Sequence, residues 1–126
     1  MILSTINLNE LYKFHRSHNG IATVTSVHPI ARFGEVISNE NGLVNSFKEK
    51  PAVQKSWING GYFVLENDIF DFINEFENEM LEQLPLEKLV AQRKLYTYKF
   101  DGYWRCMDTP RDLKNIIEDV KSGIYK

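Results

Sequence analysis

Three stretches of the chain carry polar side chains at spacings that could serve chemistry. The first is Phe47-Lys48-Glu49-Lys50-Pro51, where an extended segment runs out into a loop. An ammonium in such a place can reach a phosphate as a compact point charge. A lysine beside a glutamate at a strand end is more often the ordinary make-up of a solvated surface. The second is Trp57-Ile58-Asn59-Gly60-Gly61-Tyr62-Phe63. Asparagine offers both a donor and an acceptor to sugar hydroxyls, and glycine lets the backbone come close to a ring. The same residues would also make a β-bulge with the Asn side chain tied to its own backbone. The third runs from Gly102 through Tyr103, Trp104, Arg105, Cys106, Met107 and Asp108 to Thr109-Pro110-Arg111-Asp112. Asp108 stands just before a helix start, where a carboxylate can hold Mg²⁺. That ion takes few protein oxygens and keeps waters and phosphates as its other ligands. A carboxylate there can also do no more than complement the helix dipole.

The histidines and the cysteine carry a weaker signal. His15 and His18 are three apart on an expected helix and could share a metal, but no third ligand accompanies them. They read as two partly exposed surface residues. His28, next to Pro29, reads as a loop residue. Cys106 has no histidine at a recognisable spacing, so a buried or half-buried thiol is favoured over a nucleophile. A single cysteine excludes an internal disulfide and a zinc site built from cysteines. A reducing compartment is the simple reading.

The elements that must position these residues follow from local pattern. Leu8, Leu11, Tyr12 and His15 or Phe14 fall at helical spacing, with Asn7 and Glu10 as a capping box and Asn19-Gly20 as the stop. Ile21 to His28 reads as a β-branched strand, and Glu35 to Ser38 and Leu43 to Lys50 as two more. Asn41-Gly42 between the last two is a hairpin signal. Ile58 to Glu66 reads as a strand, with Gly60-Gly61 marking close approach by a ligand or another backbone. Asp68 to Phe76 and Leu86 to Gln92 are expected helices, with Pro85 in the first turn of the second. Lys94 to Phe100 alternates as a strand. Thr109, Pro110 and Asp112 open a last helix whose stripe is Leu113, Ile116, Ile117 and Val120, closed by Gly123. The order α-β-β-β-β-α-α-β-α predicts an α/β protein, a mixed sheet with flanking helices and a β-hairpin at or beside its edge.

Composition bounds the rest. The 126 residues make one domain of ordinary globular make-up, 43% hydrophobic and 25% charged. A formal net charge of -2 gives no basic excess for nucleic acid, and no basic amphipathic run points to a membrane surface. No apolar run approaches the roughly 20 residues of a spanning helix. The first residues lack the charged and apolar regions of a signal peptide, so a cytoplasmic location is expected.

Taken in order, these segments resemble the sugar nucleotidyltransferase family. Ala31-Arg32-Phe33-Gly34-Glu35-Val36 looks like its R-F-G segment, and Phe47-Lys48-Glu49-Lys50-Pro51 like its F-x-E-K-P. Ile58-Asn59-Gly60-Gly61-Tyr62-Phe63-Val64 looks like I-N-G-G-F-F-V. Leu84-Pro85-Leu86 looks like E-P-L, with Leu84 where an acidic residue is expected. Gly102-Tyr103-Trp104 with Met107-Asp108-Thr109 and Arg111-Asp112 looks like G-F-W-x-x-M-D-T-x-R-D. The W-I-N-G-G and M-D-T-x-R-D segments favour the branch that transfers a cytidylyl group to glucose 1-phosphate over the thymidylyl and uridylyl branches.

The resemblance implies that residues 1–126 form the sugar-phosphate-binding, C-terminal half of a nucleotidyltransferase Rossmann-like fold. It implies that Lys50 binds the sugar phosphate, Glu49 the sugar hydroxyls, and Asn59 and Gly60 line the sugar pocket. Arg32 is a polar neighbour of that pocket, and Asp108 is one of two aspartates holding Mg²⁺. The family's nucleotide-binding half carries a G-G-x-G-T-R-L loop, a distal lysine and a G-D-G motif, and none of these stands in this sequence. A truncated or excised half is therefore expected, inactive alone and taking up nucleotide only with the missing half. A homo-oligomer or a partner chain is expected to cover its exposed edges. The alternative is a non-catalytic sugar-phosphate-binding or oligomerisation module left by truncation.

Overall fold

The computed structural model describes residues 1–30, 34–49, 56–73 and 84–125. The chain begins with a short strand, β1 (Ile2–Ser4), then helix α1 (Leu8–Arg16). Asn7 caps α1 by accepting from the amides of Asn9 and Glu10. Glu10 faces Lys13 at 3.5 Å, so only half of the expected capping box is recorded. Three strands follow, β2 (Ala22–Val27), β3 (Glu35–Ser38) and β4 (Val44–Lys48), and then β5 (Ile58–Leu65). A 3₁₀ turn (Asn67–Phe72) leads to α2 (Leu84–Ala91), β6 (Leu95–Lys99), β7 (Trp104–Cys106) and α3 (Pro110–Ser122).

The main sheet is mixed, in the order β5-β2-β6. β2 pairs antiparallel with β5 and parallel with β6. As the central strand β2 is covered on both faces, which its β-branched run suits, and Thr23 and Thr25 are fully buried. Ile21, Ala22, Ile69 and Leu89 form the core against Phe72, Ile73, Leu86 and Leu95. The 3₁₀ turn and α2 therefore close one side of the sheet. β3 and β4 form a separate antiparallel hairpin. Its turn has Gly42 at φ +89°, and the Asn39 side chain accepts from the amides of Asn41 and Leu43.

A third ribbon pairs β1 with β7, Ile2 opposite Cys106 and Ser4 opposite Trp104. These two strands are absent from the sequence-based order. Three residues are too few to display alternation, and their pairing joins opposite ends of the chain. The segment expected as an α-helix from Asp68 is a 3₁₀ turn in its described part. The histidines require a second correction: His15 is 2% exposed, not a surface residue. It lies under α1 against β2, where Thr23 and Glu66 satisfy its ring nitrogens. α3 keeps its predicted start, with Thr109 and Asp112 in a complete capping box, and Gly123 ends it at φ +80°.

Candidate functional site

The Gly60-Gly61 pair breaks the register of β5 against β2. Val24 faces Phe63 and Ser26 faces Asn59, so β5 spends more residues than β2 between these pairs. This is the β-bulge that a double glycine suggests. Gly61 holds φ +88°. The Asn59 carboxamide oxygen accepts the Gly61 amide at 2.8 Å, so the side chain is tied to its own backbone. That bond fixes the amide NH₂ as the outward donor, and it has no protein acceptor among the described residues.

Two elements clamp the bulge from outside. The Trp104 indole N–H donates to the Gly60 carbonyl at 3.0 Å. Ile2 reaches over Gly61 so closely that a Cβ there would lie 2.6 Å from Cδ1. On the inner side, a Cβ on Gly60 would stand 3.0 Å from Val27 Cγ1 and 3.1 Å from the Thr25 carbonyl oxygen. The close contacts at Gly60 and the positive φ at Gly61 favour glycine in both places, and the backbone approaches its neighbours from two sides.

Asp108 follows β7 on the same ribbon. The Cys106 thiol donates to Asp108 Oδ2 at 2.8 Å, and the Met1 amino group lies 3.6 Å from Oδ1. These two groups, the thiol first, hold the Asp108 carboxyl below the usual carboxylate range. The same bond, with some burial, pushes the Cys106 thiol up, so this cysteine is a poor nucleophile. Asp112 is engaged otherwise, its Oδ2 accepting the amides of Asp108 and Thr109. Met1, just before β1, thus lies beside Asp108, and Ile2 of β1 lies over the bulge. Gly60 and Gly61 reach the β1–β7 ribbon at Trp104 and Ile2, and Asp108 lies at the end of that ribbon beside Met1 and Cys106.

Of the remaining expected residues only Glu49 is described. Glu49 is exposed at the end of the hairpin, where its carboxylate comes near Gly34, and it has no hydrogen bond or ion pair among the described residues. Lys50 and Arg32 lie outside the described residues. Asp108 supplies a single, exposed, anionic carboxylate, and no cluster of three potential metal ligands occurs among the described residues. One carboxylate suits an ion that fills its shell with water and phosphate oxygens. No helix among the described residues is long and apolar enough to cross a membrane.

The nucleotidyl transferase family model matches residues 1–123. The chain belongs to that family. A glucose-1-phosphate cytidylyltransferase of Salmonella typhi is 36% identical over 110 residues, which cover 87% of this chain and 42% of the relative. A Bacillus subtilis protein named as a probable glucose-1-phosphate cytidylyltransferase is 35% identical over 116 residues, covering 92% of this chain and 44% of the relative. The chain thus spans less than half the length of the curated relatives it matches. A Bacillus anthracis protein assigned as a glucose-1-phosphate thymidylyltransferase, solved in complex with a sucrose, superposes with a TM-score of 0.62 at 16% identity. It is covered over 49% of its chain and covers 90% of this one, and the likeness establishes the mixed α/β fold.

The bulge and Asp108 stand out in the sequence, but the Trp104–Gly60 clamp does not. Trp104 was visible as an aromatic in a motif. Its role depends on a backbone carbonyl 44 residues away, which no local pattern encodes.

Proposed function

We propose that this chain is the sugar-phosphate-binding portion of a glucose-1-phosphate cytidylyltransferase. The complete enzyme would convert glucose 1-phosphate and CTP into CDP-glucose and pyrophosphate. The observation that carries the reading is that the Gly60-Gly61 bulge and Asp108 both adjoin the β1–β7 ribbon, the bulge at Trp104 and Ile2 and Asp108 at Cys106. The similarity to cytidylyltransferases of Salmonella typhi and Bacillus subtilis gives it its substrate class.

In that reaction a phosphate oxygen of the sugar phosphate attacks the α-phosphorus of the nucleotide in line, and pyrophosphate leaves. The protein has little covalent work to do; it positions two anions and offsets their charge. The NH₂ of Asn59 donates to a sugar hydroxyl, and Gly60 and Gly61 make the bulge that presents it. Lys50 offsets the charge of the sugar phosphate, Glu49 accepts from sugar hydroxyls, and Arg32 is a polar neighbour. Asp108, held anionic by the Cys106 thiol, would hold Mg²⁺, which supplies charge neutralisation to the phosphates when bound.

The 126-residue chain is proposed to be inactive by itself, for want of a nucleotide cradle and a second metal carboxylate. Exposed apolar side chains on the hairpin (Val36, Ile37, Val44, Phe47) and on α3 (Leu113, Ile117, Val120) support cover by a second copy or a partner chain. Calorimetry with glucose 1-phosphate tests the pocket. Binding that weakens in Asn59→Ala and Lys50→Ala, but not in Lys55→Ala, supports it; equal binding by all four proteins refutes it. Pyrophosphate release from CTP, Mg²⁺ and glucose 1-phosphate by this chain alone would overturn the inactivity.

A further inference from the structure

The opposite end of the main sheet holds a second polar assembly, remote from Asn59. His15 Nε2 lies 2.7 Å from Glu66 Oε1, and His15 Nδ1 lies 2.8 Å from the Thr23 hydroxyl. His18 Nε2 lies 2.6 Å from the same hydroxyl, and His18 Nδ1 accepts the Gly20 amide at 2.9 Å. The protons can be placed one by one. A backbone amide only donates, so His18 Nδ1 is bare and its proton sits on Nε2, which donates to Thr23. With the His15 ring neutral, Glu66 accepts from its Nε2–H and Nδ1 is bare to accept the Thr23 hydroxyl proton. Every donor then has one acceptor, and the order of hydrogen bonds runs one way from Gly20 to Glu66.

We propose that His18, Thr23, His15 and Glu66 form an acid-opened latch. It holds the Asn19-Gly20 turn closed while both imidazoles are neutral and releases it when His18 takes up a proton. A proton on His18 Nδ1 would face the Gly20 N–H, two donors at hydrogen-bond distance. A proton on His15 Nδ1 would leave the fully buried Thr23 hydroxyl between two N–H donors, with no acceptor among the described residues for its own proton. The turn is tightly built: a Cβ on Gly20 would meet Tyr96 Cδ1 at 2.6 Å and the Lys94 carbonyl at 2.8 Å. His18 stacks on Tyr96 with ring centroids 4.0 Å apart. The amides of Ile21 and Ala22 donate to the Lys94 carbonyl next door. Opening the turn therefore loosens the start of the parallel pairing between β2 and β6.

The charged and titratable groups around His18 come from every neighbouring element. His15 and Arg16 lie on α1, Glu66 and Asp68 at the end of β5 and in the 3₁₀ turn, and Lys94 with Tyr96 at the start of β6. All but Tyr96 line one open cleft of about 580 Å³ together with His18, so a proton can reach the ring from solvent. Burial first, then His15, hold the His18 pKa below its usual value against an opposing pull from Glu66. A depressed folded pKa means that the unfolded chain binds the proton more readily. The latch thus stabilises the fold fully above the unfolded value of 6.5, and that contribution is lost as pH falls through the folded pKa.

Amide hydrogen exchange at Gly20 tests this, compared at about pH 7.5 and about pH 5 after correction for intrinsic exchange. The expected result is an acidic acceleration of about fivefold, the worth of one ordinary hydrogen bond. In His18→Asn the carboxamide oxygen can still accept the Gly20 amide but cannot be protonated, so the acceleration should vanish. Equal acidic acceleration in both proteins, or none in the parent, overturns the latch. Nitrogen chemical shifts of the imidazoles in the parent give an independent reading. Nδ1 bare on both rings at neutral pH supports the assignment, and a proton on His18 Nδ1 refutes it even if the variant does not fold.

Discussion

Replacing Gly61 with alanine separates two contributions to the bulge that carries Asn59. The backbone there sits at φ +88°, where an L side chain is strained. Such strain costs about 1–3 kcal/mol. The new methyl would also stand 2.6 Å from Ile2 Cδ1, the tip of a side chain that can rotate away. Turning that tip off its rotamer costs about 0.5–1.5 kcal/mol. Gly61→Ala is therefore expected to lower stability by about 1.5–4.5 kcal/mol, measured by urea unfolding. Gly42→Ala is the control: its φ of +89° matches, but nothing lies within 4 Å of the added methyl. It should lose only the strain. Ile2→Val removes Cδ1, so Gly61→Ala in that background should cost less by about 0.5–1.5 kcal/mol. A Gly61→Ala cost no greater than that of Gly42→Ala, together with no relief from Ile2→Val, would refute the packing of β1 over the bulge.

Three further outcomes are expected. The Thr25 hydroxyl is buried without a hydrogen-bond partner among the described residues, so Thr25→Val should raise stability by about 1 kcal/mol in the same urea assay, and a loss of that size would contradict the assignment. Carbon NMR titration should show the Asp108 carboxyl titrating below an ordinary aspartate, and Cys106→Ala should move it upward; no movement would deny the thiol its role. Burial, then the hydrogen bond to Asp119, pushes Tyr103 from 10.0 up to about 12. Its stabilising contribution is complete below the unfolded value of 10.0 and is lost as pH rises through about 12, so ultraviolet titration should place Tyr103 late and Asp119→Asn should bring it earlier.

What could be read from the sequence was what neighbouring residues decide. The Thr109-Asp112 cap, the Asn41-Gly42 turn and the Gly60-Gly61 interruption are local chemistry, and each stands where its residues put it. β1 and β7 were invisible because each needs the other, at the far end of the chain, to exist as a strand. The burial of His15 was hidden for the same reason. Its partner Glu66 lies 51 residues on, and nothing in a His-x-x-His spacing announces a buried threonine between the rings. Within the candidate site, Asn59, Gly60 and Asp108 were legible by type and motif. The Trp104 and Ile2 contacts that hold the bulge against the β1–β7 ribbon belong to tertiary packing.

The central claim is that the bulge and Asp108 line a single sugar-phosphate pocket. Its most direct test is a titration of the labelled chain with glucose 1-phosphate and Mg²⁺, followed by amide and side-chain NMR shifts. The account predicts movement of the Asn59 carboxamide, the Gly60 and Gly61 amides, the Trp104 indole and the Asp108 amide, with His15 and His18 unmoved. Shifts confined to another face, or none at saturating ligand, would contradict it.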